Sequence, residues 1–493
     1  MSYNFDSEQY NYDVFSDSRN TNYSRRPQYN RKRKIRKRTR NRIMICTVGV
    51  CIILSVVLLL GGCFYGITRL TSNKKLANND SSAVSAEAVK TEKLISKAKI
   101  FSAQYDYDTA ISEVKAIGDY ATNTELQSLV TQWESEKANL VEFPHEEITH
   151  VFFHSLIYEP ELAFDPEKGN KADAYNLVMT TVDEFNKIIS TMYNNGYVMV
   201  SMHDICTFDE QGNRVDHKIM LPKGKKAFVL SQDDLNYYHC QDGDGIATKL
   251  VFDENGKVKT EYLKQDGQTI VGDFDVVPII DTFVEQHPDF AYKGHKGILA
   301  LTGYNGVFGY RTDSVYKIYQ NLDLDQEQFL KANPDFNYEQ DVAEATKIAE
   351  AMKATGWEFA THTWGHNSVD TLSMESLATD TGKWRSYVEP IVGPTDVMIY
   401  PNGADIAGVE EYDSYNEKFN YLSEQGIRIY CNVDSSQYWM QKGENYFRMG
   451  RRNLDGYRMY HDADLLTDLF DAKTIIDPKR PTPVPTMEEV YGS

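Results

Sequence analysis

The sequence predicts an α/β domain built on a parallel β-sheet and preceded by one transmembrane helix. Two observations lead to this fold class. Between residues 145 and 476, apolar strand-like runs alternate with longer helical runs. Upstream, residues 43–68 form a run of 26 positions without a charged side chain. The first feature sets the architecture of the main domain, and the second places that domain relative to a membrane.

The main domain, residues 145–476, contains seven strand-like runs and four helical runs. Because strands and helices alternate along the chain, the strands are expected to run parallel, in a sheet that is either open or closed into a barrel. The strand-like runs are 149–157, 198–202, 226–230, 297–301, 358–361, 397–400 and 427–431, and the helical runs are 180–195, 276–286, 338–354 and 411–425. A β-hairpin is expected within 247–272, and the proline-rich residues 477–493 are expected to form a C-terminal tail.

The apolar run at 43–68 is long enough to cross about 30 Å of hydrocarbon at about 1.5 Å per residue. Residues 25–42 hold eleven Lys or Arg and no acid, which places the N-terminus in the cytoplasm and the main domain outside the cell membrane. A cleaved signal peptide is a weaker alternative, because the run is too long and starts after 42 residues. Nucleic-acid binding by the basic run is disfavoured by its position beside the span.

Charge differs between the two parts of the chain. Residues 1–68 carry 12 basic and 4 acidic side chains, a net charge of +8, in a chain whose net charge is −20. The remainder is therefore strongly acidic, which argues against nucleic acid as a partner. Three of the six cysteines lie in the span, and Cys206, Cys240 and Cys431 allow at most one disulfide bond.

The segments around the span have separate roles. Residues 1–42 are expected to be a disordered, basic cytoplasmic tail. Residues 69–144 are expected to form a linker and a small helical stalk, in which 98–115 resembles one tetratricopeptide helix pair. Since the repeat does not recur and a solenoid needs about three units, a stalk is favoured over a peptide-binding repeat. The stalk is also a candidate site for a protein partner.

Two strand ends in the main domain carry side chains that can bind a metal. The first is followed by Asp233 and Asp234, whose side chains point in different directions, so one carboxylate can bind a metal while the other acts as a base. The second is followed by His362 and His366, which can converge on one metal if the local backbone is helical. In an α/β barrel, active sites are usually built at such strand ends.

Each of these motifs also has an ordinary explanation. Adjacent Asp residues often cap helices or form turns, and an exposed pair of His residues at this spacing is a common coincidence. An isolated histidine, such as His461, is more often structural than catalytic. Coincidence is a weaker explanation for the spacing of His362 and His366, because His362 follows an apolar strand directly.

Taken in order, these motifs resemble the polysaccharide deacetylase family, whose domain is called NodB-like. The family pattern reads Thr-Phe-Asp-Asp-Gly, His-Ser/Thr-x-x-His, Arg-x-Pro-Tyr and Leu-x-His. The resemblance covers roughly residues 149–472 and implies a distorted (β/α) barrel. The corresponding residues here are 231–235 (SQDDL), 362–366 (HTWGH), 399–403 (IYPNG) and 459–461 (MYH), after an opening strand at 152–156 (FFHSL).

The chain departs from the family pattern at four positions. Leu235 stands in place of Gly, Gln232 in place of an aromatic residue, Ile399 in place of Arg and Asn402 in place of Tyr. Arg451 or Arg452 could supply the missing guanidinium group.

The resemblance implies hydrolysis of N-acetyl groups on a cell-wall or extracellular polysaccharide that contains N-acetylglucosamine. It also implies one divalent metal held by Asp234, His362 and His366; this donor set suits Zn²⁺, and Co²⁺, Ni²⁺ or Fe²⁺ would also fit. Asp233 would act as the base, and His461 would protonate the departing amine. Contacts to the oxyanion or the substrate are expected from Asn402, Tyr400, His154, Trp364 and Arg451.

A second class of function remains open at this level. A catalytically inactive member of the same fold would bind glycan or act as a scaffold in the cell envelope. Leu235 and the absent Arg of the third motif favour this alternative. Release of acetate from N-acetylglucosamine oligomers would separate the enzyme from the binding protein.

Overall fold

A computed structural model describes residues 81–492 of the chain. The predicted cytoplasmic tail, the predicted span at 43–68 and the first part of the linker lie outside the described residues. Within 81–492, no helix combines the length and the apolar character that crossing a membrane requires. Residues 94–492 form one compact unit, and residues 81–93 belong to a second unit.

Seven parallel strands close into a barrel, which confirms the predicted parallel sheet and decides between its open and closed forms. Each strand pairs with the next one along the chain, and the last pairs with the first. The strands are β1 Thr149–Phe153, β2 Lys226–Gln232, β3 Ile298–Leu301, β4 Glu358–Thr361, β5 Val397–Ile399, β6 Ile429–Val433 and β7 Phe447–Asn453. Because all seven run the same way, their carboxyl ends meet at one mouth of the barrel.

The alternation of side chains along the strands separates two apolar cores. Inward-facing residues such as Val229, Ile399 and Met449 fill the barrel, whereas Val151, Leu230 and Leu299 pack outward beneath the surrounding helices. Toward the mouth, the inward-facing side chains become polar, at His150, Ser231 and Arg451 in a buried network of hydrogen bonds. The change from apolar to polar filling places a buried polar site at the carboxyl ends of the strands.

Six of the seven strands were expected from the sequence, and the seventh was not. The predicted strand at 198–202 is instead a short strand, Tyr197–Met199, which pairs with the first half of β2 outside the ring. The seventh barrel strand is β7, which carries Arg448, Arg451 and Arg452 and so lacks the apolar character of a buried strand. Each of these arginines is paired with a carboxylate, which makes its burial tolerable.

Helices surround the barrel. Val182–Asn194 matches the predicted run at 180–195; a capping box of Thr181 and Glu184 starts it, and its buried face packs on the outward core. The predicted helix at 411–425 is shorter than expected, because only Glu417–Glu424 is helical. The remaining helices are Ser81–Ala103, Tyr107–Lys115, Thr124–Ala138, Pro160–Ala163, Asn170–Val178, Val276–Gln286, Ser314–Ile318, Leu324–Ala332, Tyr338–Ala354, Met374–Tyr387, Glu389–Val392, Gly456–His461, Ala472–Ile475 and Met487–Tyr491.

Several shorter strands lie outside the ring of seven barrel strands. The predicted hairpin is confirmed: Lys249–Phe252 and Val258–Leu263 pair antiparallel, and the Asp253 carboxylate accepts backbone N–H groups of the turn. The carboxylate therefore serves turn geometry, as the sequence suggested. The other short strands are Val141–Phe143, Cys206–Phe208, Arg214–Asp216, Ile219–Leu221, Thr269–Gly272 and Met440–Lys442.

The helices before the barrel, from residue 94 onward, pack against its amino end. Ala98, Val130 and Trp133 share one apolar core with barrel residues such as Val229. The Tyr105 hydroxyl donates a hydrogen bond to the Asp289 carbonyl, 2.9 Å away. These helices therefore cover the end of the barrel opposite the mouth.

The C-terminal segment also lies against the domain. The Arg480 guanidinium and the Glu184 carboxylate form a fully buried ion pair, 2.6 Å apart, and Val484 and Val490 are buried in the outward core. Cys206, Cys240 and Cys431, the cysteines of the described part, are all free thiols.

At the amino end of the barrel, the His203 side chain lies between two carboxylates. Its Nδ1 lies 3.1 Å from Glu358 and its Nε2 lies 3.0 Å from Asp396. Burial lowers the pKa of His203, but the hydrogen bonds that its ring donates to both carboxylates outweigh burial and raise the pKa to about 10. A raised pKa adds stability that is complete below the ordinary value of 6.5 and is lost as pH rises through about 10.

We therefore expect His203→Gln to lower the Tm by about 2–4 °C at pH 6, and to lower it less as the pH approaches 10. Thermal unfolding of both proteins across this range measures the effect. His217→Gln is the control, since the side chain of His217 bonds a hydroxyl group, that of Thr207, where His203 bonds two carboxylates. An equal Tm difference at pH 6 and pH 10.5 would contradict the expectation.

Candidate active site

Three candidate metal ligands converge at the mouth of the barrel. Asp234 follows β2, and His362 and His366 follow β4. Ligand atoms of these side chains all lie within 4.8 Å of one another, and within residues 81–492 no other set of three His, Cys, Asp or Glu side chains meets this criterion. The two imidazole rings lie 5.0 Å apart at an angle of 70°.

Hydrogen bonds orient these ligands. His362 Nδ1 donates to the Ile399 carbonyl, 2.7 Å away, which leaves the lone pair on Nε2. Asp234 Oδ1 accepts the Tyr238 hydroxyl at 2.7 Å, and its Oδ2 lies 3.7 Å from His366 Nε2, too far for a hydrogen bond. Burial lowers the pKa of His366 to about 4, so its imidazole is neutral, as a metal ligand must be. Two imidazoles and one carboxylate fit a divalent transition metal such as Zn²⁺.

Asp233, beside this cluster, is held by Arg451 from β7. The guanidinium donates two hydrogen bonds, with Nη1 2.7 Å from Oδ1 and Nη2 2.9 Å from Oδ2. Burial alone would raise the pKa of Asp233, but the charge of Arg451 lowers it to about 2. The carboxylate is therefore ionised at neutral pH. Of Arg451 and Arg452, which the sequence offered for the missing guanidinium, Arg451 is the one that contacts Asp233.

Left-handed backbone occurs at four residues in the loops that form the site. Asp234, Thr363, His366 and Asn402 have φ values between 53° and 58°, a conformation that is costly for residues other than glycine. For a β-branched residue such as Thr363, this conformation is a genuine outlier. Such strain persists only where the surroundings hold it.

Asp380 holds the strained loop after β4. It is buried within the helix Met374–Tyr387, and it accepts the N–H groups of Trp364 and Gly365 and the side-chain amide of Asn367. Burial raises the pKa of Asp380. Sequence reasoning missed this residue, since nothing in the sequence separates it from an ordinary acidic residue on the surface of a helix.

Asp275 is a second supporting residue that the sequence did not reveal. It accepts hydrogen bonds from Gln232, Tyr237 and the backbone N–H of Leu156. Gln232, which replaces an aromatic residue of the family pattern, is thereby tied to the loop that carries the metal ligands.

Leu235 fits its position without a glycine. The left-handed residue of this turn is Asp234, not Leu235, and the Leu235 side chain is buried in the outward core. Its carbonyl accepts the Phe308 N–H at 3.0 Å. This departure from the family pattern therefore leaves the geometry of the metal ligands intact.

Three further predicted residues lie beside the cluster. His154 donates from Nδ1 to the Val178 carbonyl at 3.1 Å, and its charge lowers the pKa of Asp233 further. Asn402 follows β5, and its side-chain amide donates to Ser368 at 2.9 Å. Trp364 lies between the two His ligands in sequence, with Lys383 Nζ 4.1 Å from the centre of its ring.

The structure does not bring Tyr400 or His461 into this cluster. The Tyr400 ring is fully buried in a separate apolar core, where its hydroxyl bonds Tyr412 at 2.7 Å, so only its backbone lies near the site. His461 is exposed; its Nε2 lies 2.9 Å from the Val484 carbonyl. Side-chain alternation turns Tyr400 outward, and the C-terminal segment holds His461.

The barrel and its mouth place the chain among (β/α) barrel proteins with a candidate metal centre. The model of the polysaccharide deacetylase family matches residues 305–428, which confirms the resemblance over the part that contains both His ligands. This match supports deacetylase activity on a polysaccharide. No curated protein sequence matches the chain.

Three solved structures show distant similarity to the chain. The Streptococcus pyogenes deacetylase PplD in complex with acetate is 12% identical, with a TM-score of 0.34, over 65% of this chain and 97% of that one. A polysaccharide deacetylase from Bacillus cereus is 10% identical, with a TM-score of 0.31, over 62% and 64%. A putative polysaccharide deacetylase from Bacillus anthracis is 11% identical, with a TM-score of 0.30, over 62% and 64%.

Proposed function

We propose that this chain is a metal-dependent deacetylase that hydrolyses N-acetyl groups of a polysaccharide containing N-acetylglucosamine. The observation that carries the proposal is the grouping of Asp234, His362 and His366 beside a buried Asp233 that Arg451 holds ionised. The donor set favours Zn²⁺. The basic flank and the apolar run at 43–68 support an extracytoplasmic main domain tethered to the cell membrane; digestion of the domain by protease added to intact cells tests this location.

The residues of the site divide the reaction among them. Asp234, His362 and His366 would hold a divalent metal, which would supply Lewis acidity for the acetyl carbonyl and the attacking water. Asp233 accepts the proton of the attacking water, and Arg451 keeps its carboxylate oriented and ionised. The backbone N–H of Asn402 is proposed to donate to the developing oxyanion, so the change from Tyr to Asn at this position is tolerated.

The departing amine needs a proton donor. His461 was the expectation from the family pattern, but its contacts lie with Val484. We assign this role instead to His154, whose charge acts on Asp233 and on His366 and which follows β1 at the same mouth. The non-catalytic alternative loses support, because Arg451 fills the place of the missing guanidinium and Leu235 does not disturb the turn.

Metal removal tests the proposed function. Full-length protein purified in detergent is expected to release acetate from N-acetylglucosamine oligomers, to lose this activity after treatment with a chelator, and to regain it when Zn²⁺ is added. Acetate can be measured directly. Release that persists after verified metal removal would contradict the mechanism. Binding of several acetylated glycans without any release would favour the glycan-binding alternative.

A further inference from the structure

One exposed aromatic ring at the mouth of the barrel has no part in the proposed chemistry. Tyr304 follows β3 and is 38% exposed. Its backbone N–H donates to the Trp364 carbonyl at 3.0 Å, and its hydroxyl donates to the Asp323 carboxylate at 2.7 Å. The ring is therefore held at both ends while much of its surface faces solvent.

Tyr304 is connected to both loops that carry metal ligands. Trp364, whose carbonyl it contacts, lies between His362 and His366 in sequence. On its other side, its ring centre lies 6.0 Å from that of Tyr238, with an angle of 37° between the rings, and the Tyr238 hydroxyl donates to the metal ligand Asp234. A single intervening residue therefore connects the exposed ring to the ligands of each loop: Trp364 on one side and Tyr238 on the other.

The anchor of the hydroxyl group is itself rigid. Asp323 caps the helix Leu324–Ala332 and forms a reciprocal capping box with Gln326, whose side chain is buried. Because the ring is already ordered by the protein, a ligand that stacks on it has little conformational entropy to remove.

We propose that the Tyr304 ring is a stacking platform for a sugar unit next to the one that is deacetylated. A pyranose ring presents C–H groups on its face and hydroxyl groups at its rim, which matches an aromatic face surrounded by polar groups. This inference rests on the proposed function. A contact made equally in the bound substrate and in the transition state changes KM and leaves kcat unaltered.

Substitution of Tyr304 in the full-length protein tests the platform. Tyr304→Ala is expected to raise KM for the N-acetylglucosamine hexamer by about tenfold with kcat within about twofold, and to change KM for the dimer much less. Tyr304→Phe keeps the ring but loses the bond of its hydroxyl to Asp323, so it is expected to raise KM for the hexamer by no more than about threefold. The Phe variant and thermal melting separate a lost platform from a folding defect.

Tyr438→Ala is the matched control. Tyr438 is 41% exposed, and it lies near Asp468, which pairs with the outward-facing Arg452. We expect its KM for the hexamer to equal that of the wild type. The proposal is overturned if Tyr304→Ala leaves that KM unchanged, if Tyr438→Ala raises it equally, or if Tyr304→Phe loses as much as Tyr304→Ala.

Failure of the proposed deacetylase function can be distinguished from failure of the stacking proposal. If the wild-type protein releases no acetate, calorimetric binding of the hexamer still compares wild type with Tyr304→Ala. If Tyr304→Ala binds the hexamer more weakly than the wild type does, the stacking proposal stands and the deacetylase proposal is rejected. Equal affinities, or no binding by either protein, would reject the platform.

Discussion

His366→Ala is expected to abolish acetate release, with a loss of about 10³-fold or more. The substitution removes one of three ligands, and the two that remain, Asp234 and His362, come from different loops of the barrel. The expected physical consequence is a loss of metal, because the site has no other His, Cys, Asp or Glu at that position within the described residues. Metal content, measured by mass spectrometry of the purified protein, and acetate release should fall together.

His217→Gln provides the control for this experiment. His217 bonds the Thr207 hydroxyl near the amino end of the barrel and should leave both the metal content and the activity of the protein unchanged. A His366→Ala protein that keeps full metal content and is still inactive would give His366 a role other than ligand. Full activity in that variant would reject the site.

Arg451→Met is expected to lower both stability and activity. The guanidinium makes two hydrogen bonds to the buried Asp233 carboxylate, so its removal leaves this buried charge without its main partner. Breaking such a pair costs about 3–5 kcal/mol of unfolding free energy. Displacement of the base should reduce kcat by about 10²-fold. Urea unfolding and acetate release measure the two effects.

The pH dependence has a definite sign. In the wild type, Arg451 outweighs burial and lowers the pKa of Asp233 to about 2, so this pair stabilises the protein above the ordinary value of 3.8 and ceases to do so as pH falls through about 2. Without Arg451, burial dominates and the pKa of Asp233 rises. The stability deficit of Arg451→Met should therefore be larger at pH 7 than at pH 4.

Two further variants sharpen this prediction. Asp233→Asn combined with Arg451→Met removes both charges and should recover part of the lost stability without recovering activity. Arg452→Met changes the next residue of β7, whose guanidinium points outward to Asp468, and should destabilise the protein while leaving kcat within about twofold. If Arg452→Met reduces kcat as much as Arg451→Met does, the effect is general destabilisation and not loss of a positioned base.

Much of the candidate site could be predicted from local sequence. Asp233, Asp234, His362 and His366 follow apolar strands, and the alternation of strands and helices requires those ends to lie at one mouth of the sheet. Asp380 and Asp275 could not be predicted, because their burial and their hydrogen-bond partners depend on loops distant in sequence. The side chains of Tyr400 and His461 make their contacts with Tyr412 and Val484 and not with the metal ligands, since a linear motif does not specify which way a side chain points.

The sequence by itself determined the parallel α/β class, six of the barrel strands and the metal-binding motif, because each is encoded by residues close together in the chain. The family resemblance implied a closed barrel, but only the tertiary structure showed which strand closes it. Closure depends on β7, an arginine-rich segment that is a buried strand only because Asp405, Asp233 and Asp468 neutralise its charges from three distant segments. The same strand carries Arg451, which pairs with Asp233, so the strand that closes the barrel also contributes a residue to the site.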